Sequence, residues 1–150
     1  MRILLAVDGS ACSEVAVEEF AQRVWPADSQ VRIMSVVETP APLTSASLPA
    51  AADYFEETER RARENARRAV ERAADKLRES GKGGRLEIST DILSGSPKRV
   101  IVEEAEKWDA DLIVVGSHDY RSRERMLLGS VSQAVAMHAE CSVEIVRRKR

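Results

Sequence analysis

The sequence predicts an α/β protein with a doubly wound, five-stranded parallel sheet, strand order 3-2-1-4-5, and helices on both faces of the sheet. Five short apolar segments recur along the chain, and segments with helical periodicity lie between them. Each connection is long enough to hold a crossover helix, so the order β-α-β-α-β-α-β-α-β indicates parallel strands with right-handed connections. A length of 150 residues is sufficient for one hydrophobic core, and we predict a single domain over residues 1–150.

The apolar segments are the predicted strands, at residues 3–7, 31–37, 86–93, 111–115 and 142–146. The first and the fourth are almost continuous aliphatic runs, which is typical of strands that helices cover on both faces. The third has its apolar residues at Leu86, Ile88 and Ile92, so it alternates better and we expect it to be less deeply buried.

The first two predicted helices differ in character. Residues 15–24 carry apolar side chains at helical spacing, and Ser10 is a candidate N-cap for this helix. Residues 53–79 form a long charged helix with a narrow apolar stripe. Asp53 and Glu56 have the spacing of a capping box, which predicts that the long helix begins there.

The last two predicted helices cover residues 97–108 and 130–139. The first of them begins with a proline, which is favoured at that position, and the second has Ser130 and Gln133 at capping-box spacing. Residues 38–52 hold three prolines among small residues and are predicted to form a long surface loop.

Composition and motifs argue against several classes of protein. The net charge of −2 gives no basic excess for nucleic acid, and no apolar run approaches the length of a membrane span. The first residues are too short an apolar run for a signal peptide. Cys12 and Cys141 have no metal-ligand spacing, and a reducing cytoplasm is the expected location.

Enzyme signatures are also missing from the sequence. There is no Walker A motif, and no Gly-x-Gly-x-x-Gly follows the first strand. A phosphoryl-accepting role for Asp8 would need a second aspartate at position 10, which is serine. His118 is either a general base or a loop histidine with one hydrogen bond, and no nucleophile stands at a defined spacing from it. We predict no enzymatic activity beyond very slow ATP hydrolysis.

Ligands of open parallel sheets bind outside the carboxyl ends of the strands, where the strand order reverses. Asp8 follows the first strand, Gly116 and His118 follow the fourth, and Gly129 and Ser130 precede the last helix at the same edge. Glycine permits close approach of a ligand to the backbone, and a helix N-terminus favours an anion. A Gly-Ser pair before a helix is common, so the local sequence of Gly129 and Ser130 favours simple helix capping, and Asp8 is also compatible with a turn.

Five segments resemble the universal stress protein family, and together they span nearly the whole chain. They are residues 3–10, 94–97, 111–118, 127–132 and 141–146. The resemblance implies a regulatory stress-response protein. Members that bind ATP have Gly, two residues, Gly, nine residues, Gly and then Ser or Thr; here Gly116, Gly129 and Ser130 match, but Asp119 replaces the middle glycine. A carboxylate at that position would repel phosphates unless a cation such as Mg²⁺ intervened.

The resemblance also implies roles for single residues if ATP binds. Asp8 would bond to the ribose, and Val7 and Val37 would line the adenine pocket, although both valines are equally compatible with an ordinary core. The remaining candidates would hold ribose and phosphates; they are Gly116, His118, Gly129, Ser130, Val131 and Ser132.

The alternative is a homodimeric interaction protein that has lost ATP binding because of Asp119. The last strand, Ser142–Val146, is predicted to lie at an edge of the sheet, where an unprotected strand invites pairing with another chain. The resemblance implies dimers formed through this strand. A dimer can also bind ATP, so the two hypotheses overlap.

Overall fold

The structure is a computed structural model and describes residues 1–39, 49–81, 85–117 and 128–147. The strands are β1 (Arg2–Ala6), β2 (Gln30–Val37), β3 (Glu87–Ser94), β4 (Leu112–Gly116) and β5 (Ser142–Val146). The helices are α1 (Ala11–Gln22), α2 (Pro49–Ser80), α3 (Pro97–Lys107) and α4 (Ser130–His138). All neighbouring strands pair in parallel in the order β3-β2-β1-β4-β5, which confirms the predicted fold class.

Helices cover both faces of the sheet, and two hydrophobic cores lie between the layers. Successive side chains of a strand point to opposite faces. Ile3 and Leu5 of β1 therefore pack with α1 and α2, whereas Leu4 packs with α3 and α4. All three are fully buried, as expected for a central strand. Strand β3 at one edge is mostly exposed or half-buried, as its alternating pattern predicted.

One predicted helix cap is confirmed, and one predicted helix start is wrong. Ser10 caps α1 as predicted, and its hydroxyl accepts a hydrogen bond from the Ser13 N–H at 3.2 Å, so the helix begins at Ala11, ahead of the apolar positions at residues 15–24. The same helix ends before Val24, which is 83% exposed. α2 begins at Pro49, so Asp53 lies inside the helix and does not cap it. Residues 40–48 of the predicted loop lie outside the described residues.

The start of α4 also corrects a prediction. Gly129, not Ser130, is the N-cap, and its carbonyl accepts the hydrogen bond of the Gln133 N–H at 2.9 Å. Glycine has no side chain that could cap the helix, so Ser130 and Gln133 do not form a capping box. Among the residues that the structure describes, no side chain caps the first-turn N–H groups of α4, which lie at the edge where ligands of such sheets bind.

Charged side chains tie the β3 edge to α3. Arg32 of β2 contacts the carboxylate of Asp91 on β3 at 2.6 Å and that of Glu104 on α3 at 3.5 Å. Its guanidinium also lies 5.9 Å from the ring centroid of Trp108. The Glu104 side chain is only 16% exposed and accepts a second contact from Lys107 at 2.8 Å. This cluster of four charged residues fixes α3 against β2 and β3.

Within the described part of the chain, no helix is both long enough and apolar enough to cross a membrane.

Candidate functional site

The candidate site lies where the strand order of the sheet reverses. β1 pairs with β2 on one side and with β4 on the other, so the crossovers leave β1 and β4 in opposite directions. In such sheets a crevice forms outside the carboxyl ends of the two strands. The turn after β1 and the first turns of α3 and α4 meet at this edge.

A small cleft of about 130 Å³ occupies this crevice. Its apolar walls are formed by Ala6, Val7, Met34, Val36, Pro97, Ile101, Val115 and Val131. Polar groups and one glycine complete it: Asp8, Ser10, Ser13, Gly116 and Ser130. An apolar cavity of about 150 Å³ accommodates benzene, so this slightly smaller cleft has the apolar character to hold part of a flat ring system, the rest of which would extend out of it.

The turn between β1 and α1 is held by a closed cycle of three hydrogen bonds. The Asp8 N–H donates to the Ser13 hydroxyl at 3.2 Å, the Ser13 N–H to the Ser10 hydroxyl at 3.2 Å, and the Ser10 N–H to Asp8 Oδ1 at 2.9 Å. Gly9 lies inside the cycle with φ +76°, a conformation that favours glycine. Asp8 therefore has the turn role considered for it, with its carboxylate exposed beside the cleft.

Gly116 has a packing role that the sequence did not indicate. A Cβ at this position would lie 2.6 Å from the carbonyl oxygen of Cys12 and 2.9 Å from the Ser13 nitrogen. Such distances do not occur in folded proteins, so only glycine lets the end of β4 pack against the first turn of α1. The glycine of the motif is thus required by the fold, whether or not a ligand approaches it.

The first turn of α4 presents some of its predicted residues and buries others. Ser130 is exposed and Val131 is half-buried, and both line the cleft. Gly129 is buried behind them. Ser132 is 2% exposed, and its hydroxyl donates to the Gly129 carbonyl at 2.9 Å, so it stabilises the helix start rather than lining the cleft.

Five of the nine predicted site residues come together at the cleft: Val7, Asp8, Gly116, Ser130 and Val131. Val37 does not line this cleft, and its role toward adenine stays a prediction. Strand residues alternate between faces, and Met34 and Val36 point to the cleft side of β2. His118 and Asp119 lie outside the described residues.

Ser13, Met34, Pro97 and Ile101 line the cleft without having been predicted. Two of them have a recognisable sequence pattern. Ser13 stands three residues after the capping Ser10, and Pro97 is the first residue of a helix that starts at the ligand edge. Met34 and Ile101 resemble ordinary core positions, and only the tertiary arrangement places them here.

Neither Cys12 nor Cys141 belongs to a candidate metal site among the described residues. No group of three His, Cys, Asp or Glu side chains in the described ranges is arranged to hold a metal ion. Burial raises the pKa of the half-buried Cys141 thiol, and the nearby Asp111 carboxylate raises it further. Cys141 therefore has the character of a packed, unreactive thiol.

A family model described as the universal stress protein family matches residues 1–147 of the chain. The chain belongs to the universal stress protein family. A universal stress protein of Methanocaldococcus jannaschii is 32% identical over 149 residues, which are 99% of this chain and 83% of that protein. Family membership thus extends over all elements of the fold.

Solved structures of universal stress proteins have the same fold. The universal stress protein UspA from Lactobacillus plantarum has a TM-score of 0.79 and 27% identity, covering 98% of this chain and 97% of its own. A family protein of Arabidopsis thaliana with AMP bound has a TM-score of 0.66 and 21% identity, over 99% and 92% of the two chains. A universal stress protein in complex with cAMP has a TM-score of 0.64 and 24% identity, over 98% and 96%. The last two likenesses show the fold alone.

Proposed function

We propose that this universal stress protein is a regulatory module that binds an adenine nucleotide in the cleft at the switch point. ATP with Mg²⁺ is the first candidate ligand. Binding would change the conformation around the cleft and thereby the affinity for protein partners. The observation that carries the proposal is the apolar cleft between β1 and β4, with the Asp8 carboxylate on one side and, on another, the first turn of α4, whose N-cap is a glycine.

The groups around the cleft suit the three parts of a nucleotide. The apolar walls suit one end of a purine base, the rest of which would extend out of the cleft. The Asp8 carboxylate is an acceptor for ribose hydroxyls. The Ser130 hydroxyl and the N–H groups of the first turn of α4 suit phosphate oxygens. The family proteins solved with AMP and with cAMP support an adenine nucleotide as the ligand class.

A regulatory role fits the cleft better than catalysis. Among the described residues that line it, Asp8 has the only titratable side chain, and one of its oxygens already accepts the Ser10 N–H. A hydrolase would need a base or a charge clamp beside the transferred phosphoryl group. We therefore propose a binding protein with at most very slow ATP hydrolysis.

The first experiment identifies any nucleotide carried by the purified protein and measures binding to the stripped protein. Heat-denatured protein is analysed by ion-pair chromatography, and the stripped protein is titrated calorimetrically with ATP–Mg²⁺, AMP and cAMP. We expect stoichiometric release or micromolar binding. A protein that carries nothing and ignores all three nucleotides would refute the proposal.

A matched pair of variants locates the ligand. Ala6 lines the cleft, so Ala6→Leu places a larger side chain in the space for the base and should reduce affinity at least tenfold. Ala136 is exposed near the other end of α4, and Ala136→Leu should leave affinity unchanged. Equal affinities of the two variants would place the nucleotide elsewhere.

The second candidate is a homodimer formed through β5, which acts without nucleotide. β5 is the last strand of the sheet, and Val143 and Ile145 on it are only half-buried. The opposite edge strand, β3, carries the charges of Glu87 and Asp91. β5 carries a single acidic residue, Glu144, whose carboxylate pairs with Arg23. An edge strand with so little unpaired charge is suited to pairing with a second copy.

Sedimentation velocity at micromolar concentration tests the dimer. Lysine on an edge strand opposes pairing. We expect Val143→Lys to give monomers and Thr90→Lys, on the β3 edge, to leave the dimer intact. A wild-type protein that sediments as a monomer would contradict this candidate.

A further inference from the structure

Ser13 is a buried hydroxyl at the switch point of the sheet. Its side chain is 5% exposed and lines the cleft, and it belongs to the first turn of α1. The backbone around Ser13 is fixed from two sides. The Ser10 hydroxyl accepts its N–H, and the end of β4 packs directly against it because Gly116 has no side chain. Ser13 thus occupies a fixed position between the ends of β1 and β4.

Through its hydroxyl, Ser13 fixes the residue that carries the charge of the cleft. The Ser13 oxygen accepts the Asp8 N–H at 3.2 Å, and Asp8 Oδ1 in turn accepts the Ser10 N–H. Each of the three residues donates its N–H and accepts with its side chain, so the cycle is complete only when all three bonds form. Without the Ser13 oxygen, the Asp8 N–H loses its partner, and the turn can rotate about Gly9.

We infer that Ser13 is a positioning residue of the nucleotide cleft, which holds the Asp8 carboxylate in the orientation that receives the ligand. The inference rests on the proposed nucleotide binding. It predicts that the effect of Ser13 on affinity passes through Asp8. If Ser13 only stabilised α1, its substitution would change the stability of the fold, and any effect on affinity would not depend on Asp8.

The experiment is a double-mutant cycle of Ser13→Ala and Asp8→Ala, with ATP–Mg²⁺ affinity measured by calorimetry. We expect Ser13→Ala to weaken binding about fivefold, the effect of losing one hydrogen bond. Asp8→Ala should weaken it more strongly, and the double variant should bind as Asp8→Ala does. Ser13→Thr, which retains the hydroxyl, should bind more tightly than Ser13→Ala.

Ser29→Ala is the matched control. Ser29 is also a buried serine, and its hydroxyl donates to the Pro26 carbonyl at 2.7 Å at the opposite end of the sheet. Its loss should lower stability in urea but leave affinity unchanged. Wild-type affinity in Ser13→Ala, or strictly additive losses in the double variant, would overturn the inference alone. A wild-type protein that binds no nucleotide would overturn the proposed function and this inference with it.

Discussion

The contact between Gly116 and the first turn of α1 sets how closely β4 and α1 approach each other beside the cleft. A side chain here would meet backbone atoms of Cys12 rather than a mobile side chain. The clash would be relieved only by moving β4 or α1, and both elements are anchored in the core. A single methyl group at position 116 would therefore displace the backbone around the whole switch point.

Gly116→Ala is expected to lower the free energy of unfolding by about 1–3 kcal/mol, as overpacked sites do. Equilibrium unfolding in urea measures this loss. Gly81→Ala is the comparison, because a Cβ there meets nothing within 4 Å and only the φ of +58° opposes it. If Gly116→Ala unfolds at the same urea concentration as the wild type, the close contact is not present in solution.

Cys141 is expected to alkylate slowly at pH 8. Burial and the Asp111 carboxylate raise its pKa, so a smaller fraction is thiolate than in an exposed cysteine at the same pH. The rate with iodoacetamide should still be rising at pH values where an exposed thiol has levelled off. Mass spectrometry of a Cys12→Ala variant follows this site alone, and a rate equal to that of a cysteine peptide would contradict the prediction.

Some residues of the cleft could be placed there from the sequence, and others could not. Asp8 and Ser130 could be placed at the cleft because they follow a strand and begin a helix at the ligand edge. Val36 and Val37 could not be distinguished, because the register of β2 relative to its neighbours decides which of the two faces the cleft. The packing role of Gly116 depends on a contact with a residue about a hundred positions away.

At the scale of elements, the cluster around Arg32 joins two outer strands to α3. Glu104→Gln keeps the shape of this side chain but removes its charge beside Arg32 and Lys107. Because the Glu104 side chain is largely buried, we expect a loss of about 1–2 kcal/mol, between the values for exposed and for buried ion pairs. Urea denaturation at neutral pH measures it.

Glu57→Gln on α2 serves as the exposed control for Glu104→Gln. Glu57 contacts Arg60 and Arg61 on its own helix, and these hydrogen bonds lower its pKa, but the group is exposed to solvent. Solvent screens such pairs, so its loss should be smaller than that of Glu104. Equal losses would mean that the Arg32 cluster does not hold α3.

All five strands were predicted to within one residue at either end, whereas the helix starts were predicted less accurately. Aliphatic runs mark a strand directly, since burial on two faces demands them. A helix start depends on which capping geometry the chain adopts, and several residues offer one. At α2 the proline at position 49 begins the helix in place of Asp53, and at α4 a glycine takes the capping position.

At the scale of the whole molecule, nucleotide binding should stabilise the entire fold. A ligand that binds only the native state adds about 2.7 kcal/mol at a free concentration of about 100 times Kd. For a chain of this size, that raises Tm by about 5–10 °C. Differential scanning fluorimetry with ATP–Mg²⁺ measures the shift. At the same ATP–Mg²⁺ concentration, a loss of affinity of about tenfold or more in Ala6→Leu should reduce the shift to about half or less. A wild-type Tm that does not move at saturating ATP would contradict the prediction.

The topology was predictable because the alternation of strands and helices leaves few arrangements of a parallel sheet. The family motifs, spread from the first strand to the last, agree with that arrangement. The shape of the cleft was not predictable in the same way. Its walls come from segments between Ala6 and Val131, and their distances depend on how all the layers pack.

The pairing of β1 with β4 has a consequence for the order in which the sheet and the cleft form during synthesis. β1 can pair with β2 as soon as Val37 has left the ribosome, but its other neighbour follows only with Leu112–Gly116. α4, which forms the last wall of the cleft, is synthesised later still. A nascent chain can therefore pair β1, β2 and β3 before the cleft exists, and under the proposed function only a nearly finished chain would bind nucleotide.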